Sequence, residues 1–381
     1  MSISEKKFLV LGGAGDMGSN AVRYLYKLLG NHGNNITIAD YRDDVAKEKA
    51  NKIDAEIKVI KVDADNHEEL VGILKNYDIV INCVGPNFKY AVKIAKAAIE
   101  ANIDGVDICD DSEPTLKLYE LNNEDPNSKN IIYVYGCGWT PGLTNISAKR
   151  SSELLDSVHT ISIAWTGDPT SEGLGVVEHM LMIITGNVPS FQNGDWVDIP
   201  AGEGIIKYNF PDPIGKAKVF DVGHPEPITI PRYIPGLNEV TLKGAVVPYF
   251  LNTYLVETYV KTGKTSTLEK IHESAIELVE GPEDPEERKA LEALENSLKK
   301  VPSTYRVEAL GEKNGKPTSL IFSAAGGMEE LTSLSAALAA VMIAEGKISV
   351  KGLSPPEGCI PSEEFLRRYQ ELGPKINVEW K

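Results

Sequence analysis

Lys7-Phe8-Leu9-Val10-Leu11-Gly12-Gly13-Ala14-Gly15-Asp16-Met17-Gly18 is a short apolar run followed by a glycine-rich turn. A helical pattern begins at Ser19. Gly13, Gly15 and Gly18 match G-x-G-x-x-G. The spacing gives each glycine a separate job: Gly13 turns the chain out of the strand, Gly15 lets backbone approach a pyrophosphate, and Gly18 lets the helix pack closely on the strand. Backbone N–H groups at a helix start face outward, and the helix dipole favours negative charge there. Ala14, Asp16 and Met17 complete the phosphate-side turn. A second strand, Asn35 to Ala39, ends in Asp40, which lies 22 residues beyond Gly18. An acid at that place accepts from the ribose hydroxyls of a dinucleotide. Asp40 favours NAD. Arg42, two residues on, suits a 2′-phosphate and keeps NADP open.

Further strands follow with helical stretches between them. They are Ile57–Val62, Tyr77–Cys83, Gly105–Cys109 and Ile131–Tyr135. This alternation specifies α/β architecture, a doubly wound parallel sheet of the Rossmann type. Ligands of such sheets lie outside the carboxyl ends of the strands. Gly85 and Pro86, Asp110 and Asp111, and the turn 137–142 occupy those ends. They are expected to converge on the nicotinamide. Asp63 stands at the end of the third strand, placed either to reach the adenine amino group or to cap the helix that begins near His67.

The pattern changes after about Ala148. His159 to Trp165 alternates as a strand, and Gly175 to Thr185 reads as a short helix carrying Glu178 and His179. A Pro- and Gly-rich run, 187–248, contains short strands. Gly281 opens a charged helix to about Lys300. Ser303–Leu310 and Thr318–Ser323 flank Asn314-Gly315, a strong hairpin turn signal. This region reads as a second α+β domain with a mainly antiparallel sheet. Glu329 to Ala344 is an apolar, Ala-rich helix. So little polar surface demands burial on more than one side, so the helix is expected to return to the first domain. The expected domains are 1–147, 148–328 and a returning segment, 329–381.

The chain has 381 residues, 42% of them hydrophobic and 25% charged, a composition that suits a globular protein of two domains. The net charge of −16 argues against nucleic acid and anionic membranes as partners. The first residues contain no apolar core of a signal peptide, so a cytoplasmic protein is expected. Cys83, Cys109, Cys137 and Cys359 show no C-x-x-C pairing, and no His/Cys/Asp group has zinc spacing, so no metal is expected. No nucleophile-elbow motif occurs.

Several of these stretches resemble the saccharopine dehydrogenase-like family, including its lysine 6-dehydrogenase branch. They are the glycine loop, Val84-Gly85-Pro86, residues 106–114, Gly138 to Asn145, and the segment 334–361 with its Ala-rich helix and Pro355-Pro356-Glu357-Gly358-Cys359-Ile360-Pro361. The resemblance implies an NAD(P)-dependent oxidoreductase working at a C–N bond of an amino-acid-derived substrate. A dinucleotide-binding redox sensor and a same-fold enzyme acting on C–O bonds are the alternatives.

Such chemistry needs a hydride carrier, a group that moves a proton, and groups that fix an amino-acid zwitterion. Asp110 and Asp111 suit the ammonium, or else cap the helix that follows. Asn145 follows a turn and bonds either substrate or backbone. His224, Glu226 and Arg232 lie in a proline-rich stretch. His224 suits proton transfer near neutral pH, and Arg232 suits a carboxylate. The other reading of this stretch is an edge strand with solvated charges. His179 is a weaker candidate, and His32, His67, His159 and His272 read as loop or surface residues. The alternating strand Ser303–Leu310, with the family resemblance, points to a sheet that packs against its copy in a homodimer.

Overall fold

The computed structural model describes residues 3–168, 173–281, 286, 288–289 and 301–381. The charged helix expected from Gly281 to Lys300 falls largely outside them. The chain forms two compact units, the first from residues 1–154, 232–235 and 329–376, the second from 155–231, 236–328 and 377–381. The expected boundary at 147 lies inside the helix Leu143–Leu154. The last five residues join the second unit. Among the described residues no helix is long and apolar enough to cross a membrane.

The first unit is built on a parallel sheet. Its strands are β1 (Phe8–Leu11), β2 (Ile36–Asp40), β3 (Lys58–Lys61), β4 (Ile79–Asn82), β5 (Asp104–Asp107) and β6 (Ile132–Val134). A short strand, Gly352–Ser354, adds to β6 as the seventh. Across the sheet the order runs from this strand through β6, β5, β4, β1 and β2 to β3. Apart from the added strand, that is the doubly wound order in which the chain reverses direction between β1 and β4, opening a crevice above their carboxyl ends. Phe8 to Leu11 and Ile79 to Ile81 are buried on both faces. Such central strands read as continuous apolar runs. At the edge, β3 exposes Lys58 and Lys61, charges that discourage further pairing.

The Ala-rich helix spans Met328–Ala344, and every residue from Ser333 to Ile343 is buried. It belongs to the first unit, as its apolar surface required. The Ser333 hydroxyl donates to the Met17 carbonyl at 2.7 Å, and the Tyr24 hydroxyl donates to Glu330 at 3.1 Å, so it lies against the helix Asp16–Leu28. Burial of Leu331, Leu334 and Leu338 contributes about 1.5–3 kcal/mol each.

The second unit contains a nine-stranded sheet. It is mainly antiparallel, with one exception. Glu239–Val246 pairs parallel with Ser157–Gly167 over eight residues. The hairpin Ser303–Lys313 and Lys316–Gly326 turns at Asn314 and Gly315, whose φ values of 54° and 70° are those a two-residue hairpin turn requires. Asn377–Trp380 pairs antiparallel with the second hairpin strand at the sheet edge.

The proline-rich stretch is not an edge strand. Glu226–Tyr233 is a helix, and residues 221–230 are all buried. Proline suits a first turn, whose N–H groups have no intrahelical acceptor, so Pro227 does not obstruct it. Pro231 leaves the carbonyl of Pro227 without its i+4 donor. The Trp196 indole N–H supplies the missing bond at 3.1 Å.

Candidate active site

In the first unit the glycine loop joins β1 to the helix Asp16–Leu28. The left-handed residue is Gly12, with φ 76°, one residue earlier than the motif suggested. A Cβ there would stand 2.5 Å from the Cys83 carbonyl oxygen. Gly13 instead clears the Ile38 side chain. Gly18 passes over the Gly12 backbone, where a Cβ would meet Gly12 O at 2.3 Å, so close helix–loop packing explains it as expected. Gly15 is the helix N-cap and places no side chain on the helix end. A Cβ at Gly15 would meet only the Gly12 oxygen within 4 Å, at 3.3 Å. The space outside this turn and the bare helix end fit a dinucleotide pyrophosphate.

Asp40 ends β2 beside this loop and is buried. Its Oδ2 accepts the Ala14 N–H at 2.9 Å, and its Oδ1 accepts the Arg42 N–H at 3.0 Å. The Arg42 Nε lies 3.5 Å from the same Oδ1, and its guanidinium stacks on the exposed Tyr41 ring at 5.2 Å. Asp63 is exposed, and its Oδ1 accepts the Asp65 N–H at 2.9 Å. It caps a turn rather than the helix. The helix cap is Asn66, whose Oδ1 accepts the Glu69 N–H.

At the end of β4, Gly85 has open space where a Cβ would stand, and Pro86 is the N-cap of the helix Asn87–Ala101. Asn87 Nδ2 donates to Asp110 Oδ1 at 2.8 Å and ties this turn to the end of β5. Asp111 is the buried N-cap of the helix Ser112–Glu124, yet its side chain makes no capping bond. The position matches the capping alternative, but the carboxylate does not do the capping.

The residue that organises this end of the sheet is Asp107, which the motif reading passed over. It is fully buried. Its Oδ1 accepts from the N–H groups of Cys109 and Gly136 at 2.9 and 3.0 Å, and the Tyr133 hydroxyl donates to Oδ2 at 3.3 Å. Burial pushes its carboxyl up to about 6, against the pull of those bonds. An acid inside the apolar strand Gly105–Cys109 was the available signal. Burial likewise pushes the Cys109 and Cys137 thiols well above their ordinary range.

Asn145 is buried and bonds within the protein. Its Oδ1 accepts the Gly142 N–H at 2.9 Å, and its Nδ2 donates to Glu357 Oε2 at 3.0 Å. Arg232 belongs to the first unit, where its guanidinium lies over the Tyr119 ring at 4.8 Å.

The second unit holds a histidine cluster. His224 and Glu226 are 3% and 0% exposed, and His224 Nδ1 lies 3.6 Å from Glu226 Oε2. The Gly223 N–H donates to the Ile183 carbonyl at 2.8 Å, which pins this segment to the end of the helix Leu174–Ile183. His179 on that helix thereby meets His224, Nε2 to Nε2 at 3.2 Å. The Trp165 indole forms a wall 5.7 Å from the His224 ring. Gly244 leaves room for that indole, since a Cβ there would stand 2.2 Å from it. Glu178 turns away from this pair and binds His272 Nδ1 at 2.5 Å. His272 sits on the helix Leu268–Glu280 with its side chain exposed, the surface alternative of its sequence reading.

The strand order, the bare helix end and the acid that closes the loop define a Rossmann chain of the dinucleotide-binding type. Residues 8–131 match the family model described as saccharopine dehydrogenase NADP binding domain. Among curated proteins the chain is 25% identical over 198 residues to a carboxynorspermidine synthase of Vibrio alginolyticus, covering 46% of this chain and 45% of that protein. The match thus spans less than half the length of that relative. Among solved structures, apo saccharopine dehydrogenase (L-Glu forming) from Saccharomyces cerevisiae aligns over 99% of this chain and 100% of its own, with a TM-score of 0.69 and 15% identity. A homospermidine synthase from Legionella pneumophila in complex with NAD aligns over 99% and 92%, with a TM-score of 0.62 and 11% identity. These structures share the fold.

Proposed function

We propose that the chain is an NAD(P)-dependent oxidoreductase that transfers a hydride at a C–N bond of an amino-acid-derived substrate. The observation that carries this reading is the open phosphate turn at Gly15, closed from behind by Asp40. Gly13, Ala14, Gly15, Asp16, Met17 and Gly18 would hold the pyrophosphate, Asp40 and Arg42 the adenosine ribose, and Asp63 the adenine. Gly85 and Pro86 would face the nicotinamide. When bound, the cofactor supplies the hydride acceptor.

The protein then has to place an amine and take a proton from it. Asp110 and Asp111 carry the charge to hold an ammonium. Arg232 is the candidate for a substrate carboxylate, and Asn145 fixes the turn before its helix. His224, backed by Glu226, supplies the proton-handling group. Support for amine chemistry comes from the names of the relatives: a saccharopine dehydrogenase, a carboxynorspermidine synthase and a homospermidine synthase. NAD is the preferred cofactor in this reading, and the site of action is the cytoplasm.

The test is a panel of amino acids, polyamines and 2-hydroxy acids, each incubated with NAD or NADP while cofactor reduction is followed by absorbance. Amines are expected to reduce the cofactor. Turnover of hydroxy acids alone would establish the C–O alternative. Tight cofactor binding with no turnover of any compound would favour a sensor.

A further inference from the structure

At the carboxyl ends of β4, β5 and β6 a fully buried carboxylate gathers donors from its neighbours. Asp107 Oδ1 accepts the N–H groups of Cys109 and Gly136, and the Tyr133 hydroxyl donates to Oδ2 at 3.3 Å. The first two donors are backbone and can only donate. The third has little freedom. Asn82 pairs with Asp107 across β4 and β5, and its side chain is a hydrogen-bonding neighbour of the Tyr133 hydroxyl. Asn82 Oδ1 is held by the Val84 N–H at 3.0 Å, which turns the amide N–H₂ toward that hydroxyl. The polar hydrogens thus point one way, from the turns after β4, β5 and β6 toward Asp107. A proton on Oδ1 would meet two N–H groups. A proton on Oδ2 would displace the Tyr133 proton toward an amide that cannot accept it. The network is complete with an ionised Asp107 and broken with a protonated one.

Burial opposes that charge. It is the larger influence and brings the Asp107 carboxyl up to about 6, so the two forms exchange near neutral pH. The ionisable groups that face Asp107 do not take over its proton there. Burial pushes the Cys83 thiol at the end of β4 up to about 12. It holds the Cys109 and Cys137 thiols and the Tyr133 hydroxyl well above their ordinary ranges. Asp110, on the turn after β5, adds a repelling charge. Salt screens a buried charge poorly, so Asp107 acts on whatever lies above these turns. The nicotinamide ring carries a positive charge when oxidised and none when reduced. We infer that Asp107 is a positioning residue that selects by charge: its ionised form sets the turns after β4, β5 and β6 for the oxidised dinucleotide, and its protonated form gives up that preference. The inference rests on the dinucleotide reading above. Linkage then makes the effect reciprocal. Binding of the oxidised form expels a proton from Asp107 around pH 6, and binding of the reduced form does not.

Calorimetric titration with NAD and with NADH at pH 5.5 and pH 8 tests this. If ionised Asp107 favours NAD about tenfold, a coupling of ordinary size, the Kd of NAD falls by about threefold from pH 5.5 to pH 8. The Kd of NADH should stay level. Titrations at pH 6 in two buffers of different ionisation enthalpy count the protons, and release is expected with NAD alone. Asp107→Asn keeps an acceptor for Cys109 and Gly136 and should make the pH dependence of NAD match that of NADH. Tyr133→Phe removes a donor to the carboxylate and should move the midpoint to higher pH. Affinities for NAD and NADH that change in parallel with pH in the unsubstituted protein would overturn the inference, whether or not either variant folds. A pH dependence of NAD that survives in Asp107→Asn would assign it to another group and overturn it too. If neither form binds at any pH, the dinucleotide reading fails and the inference falls with it. If both bind, that reading stands, and the pH dependence alone decides the role of Asp107.

Discussion

The carboxylate of Asp40 accepts the backbone N–H of Ala14 at 2.9 Å, so the acid that ends β2 also holds the glycine loop in shape. It accepts the Arg42 N–H with its other oxygen. Only a carboxylate offers two acceptors in that place. Asparagine would turn an N–H₂ against one of the two donors. Asp40→Asn should therefore weaken NADH binding by about tenfold or more, on the order of 1.4 kcal/mol, and narrow its advantage over NADPH. Dissociation constants for both cofactors, measured by calorimetry on both proteins, check this. NADPH bound tenfold more tightly by the unsubstituted protein would show that Arg42 outweighs Asp40.

The loop glycines should separate folding from binding. Gly12→Ala forces a Cβ to within 2.5 Å of the Cys83 carbonyl at a φ of 76°, so it should lower thermal stability outright. Gly15→Val meets mostly open space. It should leave the melting temperature nearly unchanged and abolish cofactor binding. A Gly15→Val protein that is folded and still binds NADH would contradict the phosphate reading.

Asp107 makes stability depend on pH in an unusual direction. Its carboxyl is raised to about 6 in the folded chain, against about 3.9 when unfolded. The folded state therefore holds this proton more tightly. The group's contribution is fully present below about pH 4 and is lost as pH rises through about 6. Asp107→Asn keeps an acceptor for Cys109 and Gly136 and removes the titration. Relative to the unsubstituted protein, the variant should gain roughly 3 kcal/mol between pH 4 and pH 8, about two units at 1.36 kcal/mol each. Denaturant unfolding at the two pH values measures it; parallel curves would place the shift elsewhere.

Asn145→Ala should destabilise the fold rather than alter cofactor affinity alone. It leaves a buried Gly142 N–H without this acceptor and deprives the Glu357 carboxylate of a donor. A loss of about 1–3 kcal/mol is expected for such groups. A variant as stable as its parent would return Asn145 to a purely substrate-facing role.

The hairpin 303–326 keeps the two-faced pattern on which the dimer expectation rests. Tyr305, Val307 and Ala309 point to one face, and Thr304, Arg306 and Glu308 to the other, where the Tyr208 ring covers the Arg306 guanidinium at 5.0 Å. Light scattering at micromolar concentration should give twice the chain mass of 41.5 kDa. A monomer mass would remove the dimer from the account.

What the sequence made legible was what repeats. β1, β2 and β4 are apolar runs between turn signals, and their parallel order follows from the helices between them. What stayed hidden depends on contacts made far along the chain. Gly352–Ser354 has three residues and no alternation, and it is a strand only because β6 offers it an edge. The helix Glu226–Tyr233 carries prolines that argue for extended backbone, and it stands because Trp196 replaces the bond that Pro231 cannot give. His179 reads as an ordinary packed histidine until Gly223 fixes His224 beside it. Asp107 gives no sign in its spacing of the donors it gathers, the backbone N–H groups of Cys109 and Gly136 and the Tyr133 hydroxyl.

The first unit is assembled from segments that synthesis makes far apart in time. β6 ends at Val134 and its outer neighbour at Ser354, 220 residues later. At roughly 5–20 residues per second, a growing chain holds the open edge of β6 for about 10–40 s before the strand that closes it exists. The apolar helix Met328–Ala344 that seats against Met17 arrives only slightly sooner. During that interval the nucleotide-binding half is a partial sheet with uncovered apolar surface. A chaperone that shields it would therefore act on β1 to β6 while the helix Met328–Ala344 and the strand Gly352–Ser354 are still being made.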